Sequence, residues 1–133
     1  MTKFIFRLLS IGYVVGIFLF ADSSVVSDLA PFNPESILHI PLYGILTFLL
    51  VFSFLPIGLN ATHSTHLTYS TYLTRLIFPG VIGVVVAIAD EIHQAYVPGR
   101  NASVYDVLLD VVGIVLCLFI IWRLKSRCSS VTQ

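Results

Sequence analysis

Two stretches of the sequence concentrate carboxyl groups that can transfer protons or bind cations. Asp90 and Glu91 lie near the end of one apolar run, and Asp106 and Asp110 lie near the start of the next. An Asp at the centre of a membrane helix costs about 2.5–3.5 kcal/mol on insertion scales, so such groups usually face a bundle interior or a water-filled cavity. These four acids are therefore the first candidates for a functional site.

The spacing of polar residues predicts that they share helix faces. Asp106 and Asp110 are four residues apart, as are Asp90 and Gln94, and side chains at this separation are neighbours on a helix. The polar residues of both runs should therefore project to common sides of their helices.

Three residues outside the acidic pairs complete the candidate set drawn from spacing. His39 and Tyr43, also four residues apart, offer an imidazole and a phenol to one space. Arg100 lies in the turn that joins the acidic runs, where its guanidinium can pair with a carboxylate or bind an anionic headgroup.

The composition is that of a membrane protein. The 133 residues are 57% hydrophobic and 11% charged, and the mean hydropathy is +0.96. A soluble core of this size could not bury so many apolar side chains, so lipid must solvate much of the surface. A net charge of zero gives no argument for a nucleic-acid partner.

Four apolar runs are long enough to cross a bilayer and predict a single all-α domain, a polytopic transmembrane bundle of four helices. They cover residues 4–21, 36–59, 76–96 and 104–124. The rival interpretation of the first run is a cleaved signal peptide, but no small-x-small cleavage site follows it. Within this run, Gly12 and Gly16 permit close helix approach, and we favour packing within the chain over a dimer seam.

The distribution of Lys and Arg predicts the orientation. These residues occur at both ends of the chain and before the third run, and only Arg100 falls on the other side. The positive-inside rule then places both termini in the cytoplasm and the 22–35 and 97–103 loops outside. The polar ends of the second, third and fourth runs face outward, so their ionisable residues should meet at one level of the bilayer.

Residues 90–106, D-E-I-H-Q-A-Y-V-P-G-R-N-A-S-V-Y-D, followed by Asp110 and Gly113, resemble the signature of the VanZ-like family of small integral membrane proteins. His39 and Tyr43 are similar to the upstream His and Tyr positions of that family. The sequence departs from the family in having Glu35-Ser36 where Asp-Lys is common, and Asp110 where Asn is frequent.

The resemblance implies a multi-pass protein of the bacterial cell membrane. The founding member of the family is linked to low-level resistance to the glycopeptide teicoplanin, and the family has no defined biochemical activity. It also adds Ser103 to the candidate residues, because this serine belongs to the shared signature.

Three functions fit these residues. The first is a membrane enzyme acting at the outer leaflet on a lipid or cell-envelope intermediate, because carboxylates gathered in a low dielectric can exchange protons near neutral pH. The second is a non-catalytic protein that binds a lipid headgroup, a glycopeptide or a partner protein. The third is a proton-coupled carrier, for which four helices would have to assemble as a homodimer.

For the enzyme, the candidate residues fall into two groups. The catalytic candidates are Glu91, Asp90, Asp106 and His39, and the substrate-binding candidates are Arg100, Gln94, Tyr43, Asp110 and Ser103. A purely structural ion-pair network is the competing interpretation, but four acids against one arginine give it poor charge balance.

A divalent metal ion held by His39 and the acids is the less favoured alternative. No helix carries a His-x-x-x-His or Glu-x-x-His pair, which are common metal-binding spacings. We therefore expect neither a metal nor another cofactor, and we expect membrane lipids or a lipid-linked envelope precursor as partners.

Overall fold

The structure, a computed structural model, describes residues 2–21, 37–54, 69–98 and 102–129. These residues contain no strand and form four helices, which are α1 (Thr2–Ala21), α2 (His39–Phe54), α3 (Tyr69–Gln94) and α4 (Val104–Ser129). The prediction of an all-α bundle of four helices is confirmed.

Three of the four helices are long and apolar enough to cross a membrane, through the segments Thr2–Ala21, Thr74–Gln94 and Val104–Leu124. α2 is apolar but has only 16 described residues. At about 1.5 Å per residue it is about 24 Å long, against about 30 Å for the hydrocarbon core.

The second helix begins later than the prediction of residue 36. Ile37 and Leu38 form a turn, and the helix starts at His39, with Pro41 in its first turn. Proline is tolerated there because the first N–H groups of a helix have no carbonyl partner within it. Residues 36 and 55–59, which the prediction included, lie outside the described residues.

The third and fourth helices also differ from their predicted bounds. α3 starts at Tyr69 and ends at Gln94, whereas the prediction placed it at 76–96. α4 starts at Val104 as predicted but continues to Ser129 rather than ending at residue 124. Hydropathy marks only the apolar part of a helix, so it missed polar turns such as residues 69–74.

α2 is the central helix of the bundle and contacts each of the other three. Its Tyr43 and Leu46 are fully buried, and they belong to a core cluster with Ile17 of α1, Ala87 of α3 and Ile114 of α4. One side of α2 therefore forms the core of the bundle, whereas Ile45 and Phe48 on its outer side are 50% and 43% exposed.

The outer surfaces of α1, α3 and α4 are rich in exposed apolar side chains. Leu19, Val85 and Val115 are each more than half exposed, and many other large apolar residues behave in the same way. Water would make so large an apolar surface unfavourable, whereas lipid solvates it at no cost. The exposed surface therefore agrees with a membrane location.

α2 and α4 pack with their backbones in contact at Gly113. A Cβ atom built on Gly113 would overlap the carbonyl oxygen of Ile40, and one built on Gly44 would lie 3.6 Å from the carbonyl oxygen of Gly113. His39 directly precedes Ile40, and Asp110 lies three residues before Gly113. This close approach therefore sets His39 against Asp110.

The Gly12 and Gly16 pattern of α1 is not part of this packing. No described atom lies within 4 Å of a Cβ built at either glycine. The described helices therefore do not pack closely against these two glycines, although the sequence favoured packing within the chain.

The helices alternate in direction, so within the described ranges the acids lie at one end of the bundle and the Lys and Arg residues at the other. The end of α1 meets the end of α3, where the rings of Phe18 and His93 are 5.4 Å apart. The other end holds Lys3 and Arg7 at the start of α1 and Arg123 near the end of α4. This separation of charge is what the predicted orientation requires.

The orientation can be measured in cells. A fluorescent reporter fused after Gln133 is expected to fluoresce, because the chain should end in the cytoplasm. In a variant without Cys117 and Cys128, Ala102→Cys should react with a membrane-impermeant maleimide in intact cells. Leu124→Cys, the matched control at the opposite end of α4, should react only after permeabilisation. The reverse labelling pattern would contradict the predicted orientation.

Candidate functional site

Side chains from three helix ends meet at one end of the bundle. α2 contributes from its start, α3 from its end, and α4 from its start together with the residue before it. We call this set the polar cluster, and its members are His39, Tyr43, Asp90, Glu91, Gln94, Ser103, Asp106 and Asp110.

The carboxyl groups of the polar cluster are almost entirely buried. The exposed fraction is 0% for Asp110, 2% for Asp90, 6% for Glu91 and 8% for Asp106. Burial of a charged carboxylate is costly unless it is paired or neutralised. The hydrogen bonds of each acid therefore decide how its burial is compensated.

His39 and Asp110 form the closest contact between α2 and α4 side chains of the cluster. The His39 Nδ1 atom lies 2.8 Å from Oδ1 of Asp110. The imidazole also stacks parallel to the Tyr43 ring, with an interplanar angle of 7° and centroids 6.4 Å apart. The hydrogen bond and the stacking fix the orientation of the imidazole.

Asp90 is held by one residue on its own helix and one on α2. Its Oδ2 atom accepts hydrogen bonds from the Tyr43 hydroxyl at 3.3 Å and from Nε2 of Gln94 at 3.1 Å. The predicted pairing of Asp90 with Gln94 across one helical turn is present. Tyr43 extends this network from α3 to α2.

Glu91 joins the end of α3 to the start of α4. Its Oε2 atom accepts a hydrogen bond of 2.7 Å from the backbone N–H of Ser103. Ser103 caps α4, because its hydroxyl accepts from the N–H of Tyr105 at 3.1 Å and its carbonyl accepts from the N–H of Asp106 at 3.1 Å.

The cap at Ser103 differs from a standard capping box in which carboxylate accepts from the serine N–H. In a capping box, the acidic residue at the third helical position, here Asp106, accepts from the N–H of the capping serine. Glu91 takes that N–H instead. The Asp106 carboxylate is therefore directed into the cluster, where His39, Glu91 and Asp106 each place one ligand atom within 4.8 Å of the others.

Several buried polar atoms of the site have no hydrogen-bond partner among the residues that the structure describes. They are Oδ1 of Asp90, Oε1 of Glu91, Oδ2 of Asp110 and, just outside the polar cluster, Nδ1 of His93. More than nine in ten buried polar groups in native proteins have a partner. Three unpaired carboxylate oxygens in one place thus mark a region that can accept a proton, a cation or donor groups of a ligand.

The structure brings together every described residue that the sequence nominated. Arg100, the one remaining candidate, lies outside the described residues. Ser103 contacts Glu91 through its backbone N–H, and its hydroxyl is used in the helix cap. Residue types and spacing did not predict that the backbone N–H of Ser103 binds Glu91, because this hydrogen bond depends on how Ser103 caps α4. The roles assigned to these residues remain predictions.

The fold and the site define a polytopic helical membrane protein with buried acids at one end of its bundle. The chain belongs to the VanZ/LLP1 family, whose model matches residues 4–125, nearly the whole sequence. The expected family resemblance is confirmed. No curated protein and no solved structure gives a significant match to the chain.

Proposed function

We propose that this protein acts at the outer leaflet of a bacterial cell membrane on a lipid or cell-envelope intermediate, with the polar cluster as a wet acidic pocket. The proposal rests on one oxygen each of Asp90, Glu91 and Asp110 that is buried and has no hydrogen-bond partner within the described part of the chain. A network that only fixed helix packing would be expected to pair its buried atoms. Unpaired acids at one level favour a site that a bound molecule completes.

Acid–base chemistry is the role that suits these groups. The Asp110 carboxylate holds the imidazole of His39, and a base oriented by a third group is the usual arrangement for proton transfer. Glu91 and Asp106 each place a carboxylate oxygen within 4.8 Å of a nitrogen of the same imidazole. One group can take a proton from a nucleophile while another supplies a proton to the leaving group.

The substrate-binding part of the proposal concerns the segment between α3 and α4. Arg100 lies in that segment of the sequence, and a guanidinium binds phosphate or carboxylate through paired hydrogen bonds. We propose that Arg100 binds an anionic headgroup while Gln94 and Tyr43 hold the Asp90 side of the site. Through its family, the protein is further proposed to alter susceptibility to teicoplanin.

Turnover of an envelope lipid is the direct test. Purified protein in proteoliposomes is incubated with an envelope lipid extract, and the lipids are followed over time by mass spectrometry. A product that accumulates beyond one equivalent per protein, and that fails to form in empty proteoliposomes, is the expected result. Stoichiometric retention of one lipid without product would contradict the enzyme and favour a binding protein.

A further inference from the structure

We propose that His39, Glu91 and Asp106 bind a divalent transition-metal ion at the centre of the polar cluster. A catalytic role for this ion rests on the proposed function, because the ion would occupy the same site. Its binding can be measured whether or not a lipid is turned over.

Three ligand atoms from three different helices or helix ends converge. One atom each from His39, Glu91 and Asp106 lies within 4.8 Å of the other two. Atoms bound to one ion at about 2.1 Å each are separated by at most about 4.2 Å, so the set needs only a small adjustment of side chains. An imidazole with two carboxylates is a common type of ligand set for such ions.

The hydrogen bonds of His39 and Glu91 each use one side-chain atom and leave a second one that can bind the ion. Nδ1 of His39 is bonded to Asp110, which leaves Nε2 as the nitrogen for the ion. Metal-binding histidines nearly always donate their other N–H to a carboxylate, a carbonyl or water, as Nδ1 can here. Oε2 of Glu91 accepts a hydrogen bond from the N–H of Ser103, and its buried Oε1 atom has no hydrogen-bond partner among the described residues.

The charge balance of the polar cluster also favours a bound cation. The cluster contains four carboxyl groups, each at most 8% exposed, and one imidazole. In the described part of this end of the bundle, residues 13–21, 37–43, 90–98 and 102–110 include no Lys or Arg. A divalent cation would offset two of the negative charges where hydrocarbon makes unpaired acids costly.

The ligand types favour Zn²⁺ or Mn²⁺ over Mg²⁺ or Ca²⁺. Mg²⁺ and Ca²⁺ are bound almost entirely by oxygen, whereas imidazole nitrogen suits transition metals. We therefore expect one Zn²⁺ or Mn²⁺ per chain.

The test uses tag-free protein in detergent, stripped with a chelator and then titrated with each ion alone. Zn²⁺ is measured by competition with a chromophoric chelator, and Mn²⁺ by the loss of its free-ion magnetic resonance signal. We expect saturable binding of one ion per chain, weakened at least about 100-fold by Glu91→Gln or by Asp106→Asn. Asp110→Asn, which alters the group that orients His39, should weaken binding by about 10- to 100-fold.

His93→Gln is the matched control, because it removes a neighbouring histidine that is not one of the three ligands. It should bind the ion as the unmodified protein does. Helix content from circular dichroism establishes that each variant is folded, and the ion should raise the melting temperature of the unmodified protein but not of Glu91→Gln.

Two results would overturn the proposal: neither ion binds in a saturable way, or binding survives unchanged in both Glu91→Gln and Asp106→Asn. The lipid assay separates this failure from failure of the proposed function. Metal binding without lipid product would support the metal site and contradict the proposed enzyme activity. Lipid turnover by protein that binds neither ion would leave the enzyme and remove the metal site.

Discussion

Glu91→Gln and Asp106→Asn are each expected to abolish lipid turnover while the protein still inserts and folds. Each change keeps the size of the side chain but removes a carboxylate that can carry a proton or bind a cation. Loss of a general acid or base typically costs 10²–10⁴-fold in rate, so product should fall by at least about 100-fold. The measurement is product formation in proteoliposomes, together with teicoplanin susceptibility of cells that make each variant.

The control for this pair is His93→Gln, which changes a polar side chain near the end of α3 that is not part of the polar cluster. It should match the unmodified protein in both assays. Full activity of Glu91→Gln and of Asp106→Asn would instead mean that the acids serve only helix packing. In that case the variants should differ from the unmodified protein in melting temperature alone.

Hydropathy and helical spacing were sufficient to predict the four helices and the faces that carry the acids. A membrane helix is marked by its apolar length, and Asp90 and Gln94 were paired because residues four apart are neighbours. The ends of the helices were harder to place. The start of α2 depends on the turn at Ile37 and Leu38, and the start of α3 lies in a polar stretch that hydropathy does not mark.

Spacing within one helix cannot reveal a set of side chains that come from different helices. In His-x-x-x-His and Glu-x-x-His patterns, one helix supplies two ligands. Here each of His39, Glu91 and Asp106 comes from a different helix, so only their distances in the structure bring them together. The hydrogen bond from the backbone N–H of Ser103 to Glu91 also could not be predicted from the sequence, because it depends on how α4 is capped.

Gly113→Ala is expected to destabilise the bundle and to separate His39 from Asp110. The new Cβ would overlap the carbonyl oxygen of Ile40, and backbone atoms cannot rotate away as a side chain can. Overpacking a well-packed interface typically costs about 1–3 kcal/mol, and occasionally more. If α2 and α4 move apart to accept the methyl group, the 2.8 Å contact between His39 and Asp110 lengthens.

Gly44→Ala gives a matched control at the same crossing, because its Cβ would lie 3.6 Å from the carbonyl oxygen of Gly113, an ordinary contact distance. Thermal unfolding in detergent, followed by circular dichroism, should show a melting temperature several degrees lower for Gly113→Ala and little change for Gly44→Ala. Because the crossing positions His39, Gly113→Ala should also lose lipid turnover at temperatures where it remains folded. Equal stability and activity of the two variants would mean that the helices tolerate a wider separation than their contact implies. The position of His39 would then have to be maintained by its bond to Asp110 rather than by the backbone contact.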